Sequence, residues 1–351
     1  MDIQEQIKLI EEEIKRTPYN KATEHHVGRL KAKLAKLREE AEKQKSKTKT
    51  SEITIKKEED ATAVLVGYPS VGKSTILNKL TGARSEVGDY DFTTLKPVPG
   101  VLEYKGARIQ IYDLPGLIEG ASSGKGRGKE VLSAIRIADL IIIVADVFTL
   151  HTIEILKKEL YDAGIRIDEK PPDIVIKKKD RGGVRISSTV PLKLDEATIR
   201  EILREYRIYN ADVLIREEIT IDRLIDALSS NRVYIPSLVV VNKIDLTDVE
   251  VNAIKISAEK GLNLELLKEA IFQKLDFIRV YLKPPGGKPD MEKPMVLRRG
   301  ATIEDVCRRL HKDFVENFRY ARVWGVSVKF EGQRVGLDHK VEDGDIITIY
   351  A

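Results

Sequence analysis

The chain has 351 residues, with 60 Lys and Arg against 56 Asp and Glu, a net charge of +4 and one cysteine. That length exceeds one ordinary core and calls for about two to four compact units, while a charge so nearly balanced gives no ground for nucleic-acid binding by the molecule as a whole. The lone Cys307 excludes an internal disulfide and a cysteine-built zinc site, and no apolar run approaches the ~18 residues that span a bilayer. Met1-Asp2-Ile3-Gln4-Glu5 does not resemble a secretory signal. A cytoplasmic protein with no membrane partner is expected, and DNA is not an expected partner either.

Ile3, Ile7, Ile10 and Ile14 recur at helical spacing, as do Val27, Leu30, Leu34 and Leu37, with Thr17-Pro18-Tyr19-Asn20 between them. The spacing predicts a helical hairpin, followed by a lysine-rich linker from Lys43 to Lys57, together residues 1–58. Its apolar stripe is expected to pack within the hairpin or onto the next domain rather than on a partner helix. His25 and His26 have no Cys or His nearby and read as surface residues. From Ala61 onward apolar strands alternate with helical segments, so an α/β domain is expected over 59–290, a mostly parallel sheet with helices on both faces. Leu140 to Ala145 reads as a central strand and Thr152 to Ala163 as a helix, yet the next strand waits until Leu238. A strand–helix–strand crossover needs only about 30 residues. Residues 165–232 therefore read as an inserted α+β subdomain, with strand-like pieces at 173–176 and 183–187 and helical ones at 196–206 and 221–228. Within it, Lys177 to Arg185 carries five positive charges against one negative, a solvated loop by default and an RNA phosphate contact in the sharper reading.

Pro284-Pro285-Gly286-Gly287-Lys288-Pro289-Asp290 reads as a linker to a last unit over 291–351. That unit shows an apolar start at Met295-Val296-Leu297, a helix from Thr302 to His311 with Cys307 as a small buried hydrophobe, and strands at Val326–Phe330 and Ile346–Tyr350. A ubiquitin-like β-grasp suits this order. It holds no nucleophile or metal constellation, and so reads as a contact surface.

The chemistry sits in loops behind strands. Gly67-Tyr68-Pro69-Ser70-Val71-Gly72-Lys73-Ser74 follows the apolar run Ala63-Val64-Leu65-Val66. Its glycines let successive amides turn toward a phosphate at the positive end of the next helix. Lys73 reaches the β- and γ-phosphates, the Ser74 hydroxyl ligates Mg²⁺, and the lining extends to Thr75. A plain glycine turn would not explain Lys-Ser at this point. Asp113-Leu114-Pro115-Gly116 follows Arg108 to Tyr112; Asp113 fits the metal carboxylate, and Gly116 can present its amide to the γ-phosphate. A helix or turn cap is the competing reading of Asp113. In the upstream pair Thr93-Thr94, Thr94 is chosen to complete the metal shell, although such a pair is commonly a turn. Lys73, Thr94 and Gly116 form the catalytic set; Ser74, Thr94 and Asp113 form the metal set. Asn242-Lys243-Ile244-Asp245 follows Leu238 to Val241. Asp245 can accept the N1–H and the exocyclic amino protons of guanine, whereas adenine presents a lone pair at N1. Asn242 can bond the N7/O6 side and hold neighbouring loops, and the stem of Lys243 can cover the base. Ser257-Ala258-Glu259 can set the Ala258 amide on guanine O6.

Five elements in this order resemble the G1 to G5 boxes of translation-factor-type GTPases. Asp89-Tyr90-Asp91-Phe92-Thr93-Thr94-Leu95 and Asp113-Leu114-Pro115-Gly116-Leu117-Ile118-Glu119-Gly120-Ala121 look like the Obg-related group, and over its whole length the chain is similar to the developmentally regulated GTP-binding (DRG) proteins. The resemblance implies GTP/GDP and Mg²⁺ as ligands, an insert like a domain of ribosomal proteins, and a C-terminal TGS domain of the kind shared with threonyl-tRNA synthetases. It also implies association with ribosomes or RNA, and a dedicated regulatory partner protein. Many GTPases place a Gln where this chain has Leu117, which cannot hydrogen-bond a nucleophile, so slow intrinsic turnover is expected. Some relatives with that apolar residue recruit K⁺ through an Asn in the phosphate loop; Ser70 stands in the corresponding place. The glycine-rich stretch from Gly120 to Gly128 is expected to order differently with GTP and GDP, with Arg127 as an internal finger in the sharper reading and a solvated residue in the plainer one. A GTP-dependent assembly scaffold and an ATP-driven P-loop enzyme are the alternative functions, and Asp245 weighs against the second.

Overall fold

The computed structural model describes residues 3–46, 59–82, 98–114, 128–247 and 249–351. Two compact units emerge: residues 1–52 with 164–234, and residues 53–163 with 235–351. In chain order, α1 (Ile3–Arg16) and α2 (Glu24–Ser46) come first. Then follow β1 (Ala61–Val66), α3 (Lys73–Thr81), β2 (Val98–Tyr104), β3 (Ala107–Asp113), α4 (Gly128–Ile137), β4 (Leu140–Asp146) and α5 (Thr152–Asp162). The insertion holds β5 (Ile165–Ile167), β6 (Ile174–Lys178), β7 (Val184–Ser188), α6 (Glu196–Glu205), β8 (Ala211–Ile215), α7 (Ile221–Leu228) and β9 (Val233–Ile235). The chain returns through β10 (Ser237–Asn242), β11 (Ile254–Lys255) and α8 (Leu264–Lys274). It ends with β12 (Phe277–Leu282), β13 (Met295–Arg298), α9 (Ile303–Leu310), α10 (Asp313–Glu316), β14 (Tyr320–Trp324), β15 (Gln333–Val335) and β16 (Ile346–Tyr350).

The larger unit is built on a six-stranded sheet in the order β11-β10-β4-β1-β3-β2, parallel except for β2, which runs antiparallel to β3. Every residue of β1 and β4 is buried. Strands covered on both faces need apolar side chains at each position, which is why they read as unbroken runs rather than alternating ones. β1 pairs with β3 on one side and β4 on the other. Its carboxyl end is therefore where the strand order reverses, the place at which an open α/β sheet leaves a crevice for ligands.

In the other unit α2 packs on α6 and α7 of the insertion. Ala32 of α2 is part of one apolar cluster with Ile199, Ile202, Leu203, Val213 and Leu224. At Gly28 the helices approach so closely that a Cβ would lie 3.0 Å from Thr198 Cγ2 and 3.4 Å from Ile202 Cδ1. Lys31 pairs with Asp222 at 2.8 Å, and the Ser230 hydroxyl donates to Glu39 at 2.5 Å. α1 also packs on α2, with Ile7, Ile10, Val27 and Leu30 of the predicted stripe buried, whereas the contact with the insertion uses a separate face of small residues, Gly28, Ala32 and Ala35. The insertion's sheet has the order β6-β8-β7; β8, unanticipated from sequence, is its central strand, antiparallel to β6 and parallel to β7.

Two readings of the C-terminal region are corrected. Its five-stranded sheet, in the order β13-β12-β16-β14-β15, already begins at Phe277. β12 pairs antiparallel with β13 and parallel with β16, so residues 284–290 are a connection inside one sheet, not a linker between domains. Residues 326–330 are irregular, and the strand lies just before them, at β14. Gly325 ends it with φ +142°, a conformation L side chains rarely adopt, and a Cβ there would stand 2.3 Å from Asp345 Oδ1. Cys307 is buried as expected, and burial pushes its thiol pKa up. Among the described residues no helix is long and apolar enough to cross a membrane.

A buried ion pair secures the smaller unit. Arg166 donates twice to Asp226, at 2.7 and 2.8 Å, with side chains only 4% and 3% exposed, and Arg232 donates to the same carboxylate at 2.7 Å. Removing one member of such a pair strands the other charge away from water. Asp226→Ala should therefore lower stability by ~3–5 kcal/mol in urea unfolding followed by far-UV circular dichroism.

Candidate nucleotide-binding site

The loop after β1 folds as its sequence requires. Gly67 lies against β4, where a Cβ would meet Val144 O at 2.3 Å, and Gly72 adopts φ +92° with its Cα facing the side chain of Asn242. Pro69 and Ser70 are exposed at the tip, Ser70 at φ +62°, while Val71 is buried and Tyr68 packs on the domain core. α3 starts at Lys73, so Ser74 and Thr75 occupy its first turn with the amide end of the helix facing the loop.

Lys73 is buried at 8% exposure, and its ammonium donates to Gly67 O at 3.1 Å and Tyr68 O at 3.0 Å. The Ser74 hydroxyl donates to Asp113 Oδ2 at 2.5 Å. Burial pushes the Lys73 pKa down and the Asp113 carboxyl up; their attraction for each other opposes both shifts, and Ser74 further restrains that of Asp113. Each departure has the sign of a charge taken out of water without full compensation. Phosphate oxygens suit such a buried ammonium. A hydroxyl beside a carboxylate suits a hard, oxygen-seeking cation such as Mg²⁺, which completes its shell with phosphate and water. Among the described residues no cluster of three His, Cys, Asp or Glu forms a metal cage by itself.

Two loops from distant sequence close over the phosphate loop. Asn242, buried at the end of β10, donates through Nδ2 to Val71 O at 3.0 Å and accepts the Ala258 amide on Oδ1 at 3.0 Å. Both ends of its amide are thus used in joining loops, and Ala258 N–H is spent there too. These bonds fix the walls of the crevice, the loop-holding part of what is expected of Asn242. Lys243, at φ +64°, donates to Ser70 O at 2.9 Å and to Asp146 Oδ2 at 2.7 Å, which anchors its stem across the loop tip. Asp245 is exposed, and no described residue engages its carboxylate. Ser257 is buried and accepts from Lys260 N at 3.2 Å, shaping the turn through Ala258 and Glu259.

Asp146 is the residue that sequence reasoning missed. It ends β4, accepts from Phe148 N at 3.1 Å and Thr149 Oγ1 at 2.7 Å, and holds the Lys243 ammonium. Burial alone would raise its pKa, but the hydrogen bonds from Lys243 and Thr149 hold it below the ordinary carboxylate value. Its signal was available: a carboxylate closing an apolar run in the strand next to β1. Leu114 is buried beside Asp113. Thr94, Pro115, Gly116, Leu117, Arg127 and the stretch 120–127 lie outside the described residues.

Comparison with known proteins covers the chain almost end to end. Residues 62–178 match the family model described as a 50S ribosome-binding GTPase, 181–277 that of the C-terminal region of the MMR_HSR1 domain, and 278–351 the TGS domain. A GTP-binding protein of Methanocaldococcus jannaschii is 62% identical over 99% of this chain and 93% of its own. The developmentally-regulated GTP-binding protein 2 homolog of Dictyostelium discoideum is 47% identical over 99% of each chain. Ribosome-interacting GTPase 1 of Saccharomyces cerevisiae is 46% identical over 98% of each.

Asn242 is the buried polar tie of the site, and its loss leaves Val71 O and Ala258 N without their partner. Asn242→Ala should lower the stability of the nucleotide-free protein by about 1–3 kcal/mol in denaturant unfolding. Asp245→Ala, at an exposed carboxylate with no described partner, should change it by less than ~0.5 kcal/mol.

Proposed function

The chain belongs to the developmentally regulated GTP-binding proteins, P-loop GTPases with a C-terminal TGS domain, and from that membership we propose that it hydrolyses GTP to GDP and phosphate slowly, as a Mg²⁺-dependent switch acting on ribosomes or RNA. The observation that carries the reading is the meeting of Ser74 with Asp113 beside buried Lys73, under a lid of loops tied by Asn242. We read these groups as the phosphate end of a crevice whose base end is Asp245.

In this mechanism the loop amides and Lys73 would hold the β- and γ-phosphates, Ser74, Asp113 and the Thr94 hydroxyl would hold the metal, and Gly116 would present its amide to the γ-phosphate. Bound Mg²⁺ offsets negative charge on the β- and γ-phosphate oxygens. Attack by water forms a new oxygen bond to the γ-phosphorus as the bond to the β-bridging oxygen breaks, and the water's proton leaves with phosphate or solvent. Leu117 has no group with which to orient that water, which accounts for the slow intrinsic step. Base choice falls on Asp245, whose carboxylate is free to accept both guanine protons, while Asn242 and Lys243 keep the walls in place. For K⁺, Ser70 offers a hydroxyl where an Asn would offer an amide oxygen, and its carbonyl already accepts one hydrogen bond from the Lys243 ammonium. Weak stimulation at most is expected when turnover in KCl and NaCl is compared at equal ionic strength.

The ribosome enters from the yeast relative's name and from the family model of residues 62–178. Cosedimentation with ribosomes under GDP and under a nonhydrolysable GTP analogue, at two salt concentrations, tests it: nucleotide-gated docking survives the higher salt, whereas electrostatic adhesion alone does not. For the base contact, Asp245→Asn should move preference from GTP toward XTP in calorimetric titration. Unchanged GTP affinity in that variant would remove Asp245 from the pocket.

A further inference from the structure

The C-terminal sheet has two faces of opposite character. One bears α9 and the apolar cluster of Ile278, Val280, Val306, Ala321, Val323 and Ile347. The other is read from the strand register, since residues directly paired across strands stand on the same face. Tyr281 pairs with Ile346 and Ile346 with Trp324; Thr348 pairs with Arg322, Tyr350 with Tyr320, and Arg322 with Arg334. This face therefore presents four aromatic rings and two arginines, with no Asp or Glu at any of these strand positions. Arg322 and Arg334 are exposed, and none of the four aromatic residues is fully buried.

The rings are ordered rather than scattered. Tyr320 and Tyr350 stack with centroids 4.5 Å apart and planes 18° from parallel, and the Arg334 guanidinium lies 3.8 Å from the Tyr320 centroid. Two neighbours that close must occupy opposite faces of one ring, so a guanidinium–tyrosine–tyrosine stack crosses β15, β14 and β16. Nearby, Lys283 Nζ stands 4.3 Å from the Trp324 centroid. Core aromatics are hidden among aliphatic neighbours, whereas these lie in an accessible row with cations between them. Flat π-surfaces alternating with fixed positive charge match a polymer of flat bases joined by phosphates. A duplex keeps its base faces stacked inside and could use only the charges.

We infer that this face binds a single-stranded RNA segment, a base stacking on Tyr350 and its phosphates paired with Lys283, Arg322 and Arg334 around Trp324. The inference rests on the proposed action on ribosomes or RNA and gives that action a surface. Trp324 is the chain's single tryptophan, so its fluorescence reports on the face directly. Titrating the full-length protein with an adenine-rich single strand of about 12 nucleotides, within the span one such platform covers, should quench Trp324 saturably. A duplex of the same sequence should not. Plotted against log salt, log affinity should fall with a slope of about −2, at ~0.7 for each of three phosphates neutralised. Arg322→Glu combined with Arg334→Glu, both exposed, should abolish quenching, and Tyr350→Leu should weaken binding by at least about tenfold. Thermal unfolding should confirm that both variants remain folded. Absent quenching, equal quenching by duplex, or a response to polyglutamate in place of RNA would overturn the inference, the last by marking an acidic protein partner. Nucleotide-gated ribosome cosedimentation persisting without oligonucleotide binding would sink this surface alone and leave the proposed function standing.

Discussion

Everything at the nucleotide crevice depends on one buried carboxamide. The phosphate loop must hold its curl, with Ser70 and Gly72 both at positive φ, and a loop in that state needs walls. Asn242 supplies them by accepting from one neighbouring loop and donating to another. An amide is suited to this because it carries a donor and an acceptor on a rigid plane, and neither is left unmatched in a buried position. Lys243 adds a second tie at the tip, and Asp146 fixes Lys243 in turn. The loop after β1 and the segment at Asn242 and Lys243, about 170 residues apart in sequence, thereby become one object.

How much of this was legible depended on whether the signal was local. The phosphate loop, Asp113 and the Asn242 to Asp245 string stood out because each follows a strand buried on both faces. The partners of Asn242 did not, since its length of chain gives no hint that Val71 and Ala258 lie on either side. Asp146 is not marked by pattern because the apolar run that signals β4 ends at Ala145, one residue short of the strand's end. The strand placed at Val326–Phe330 shows how two adjacent alternating segments compete, with Gly325 deciding between them through its backbone rather than its pattern. β8 is hard to read because its alternation spans only five residues between two helices, too short to stand out as a period.

Non-local packing accounts for the largest surprise. α1 and α2 precede the phosphate-binding domain, yet α2 shares a core with a subdomain that begins more than 100 residues later. Gly28 lets the helices close, and Ala32 fills the space between them. Both lie on a face of small residues apart from the Val27, Leu30, Leu34 and Leu37 stripe, so no hydrophobic period marks this contact. Burial of that face, with Lys31 on Asp222 and Glu39 beneath Ser230, joins the beginning of the chain to its middle.

The strand that opens the C-terminal sheet follows α8 with almost no slack, and Phe277 and Val296 belong to the core of the phosphate-binding domain. The two folds therefore share side chains at their seam and are not beads on a string. Evolution or engineering could not exchange this tail as a module cut at residue 290. The severed front piece would retain β12 stripped of both its sheet neighbours, a sticky ribbon with two raw margins and an invitation to self-association.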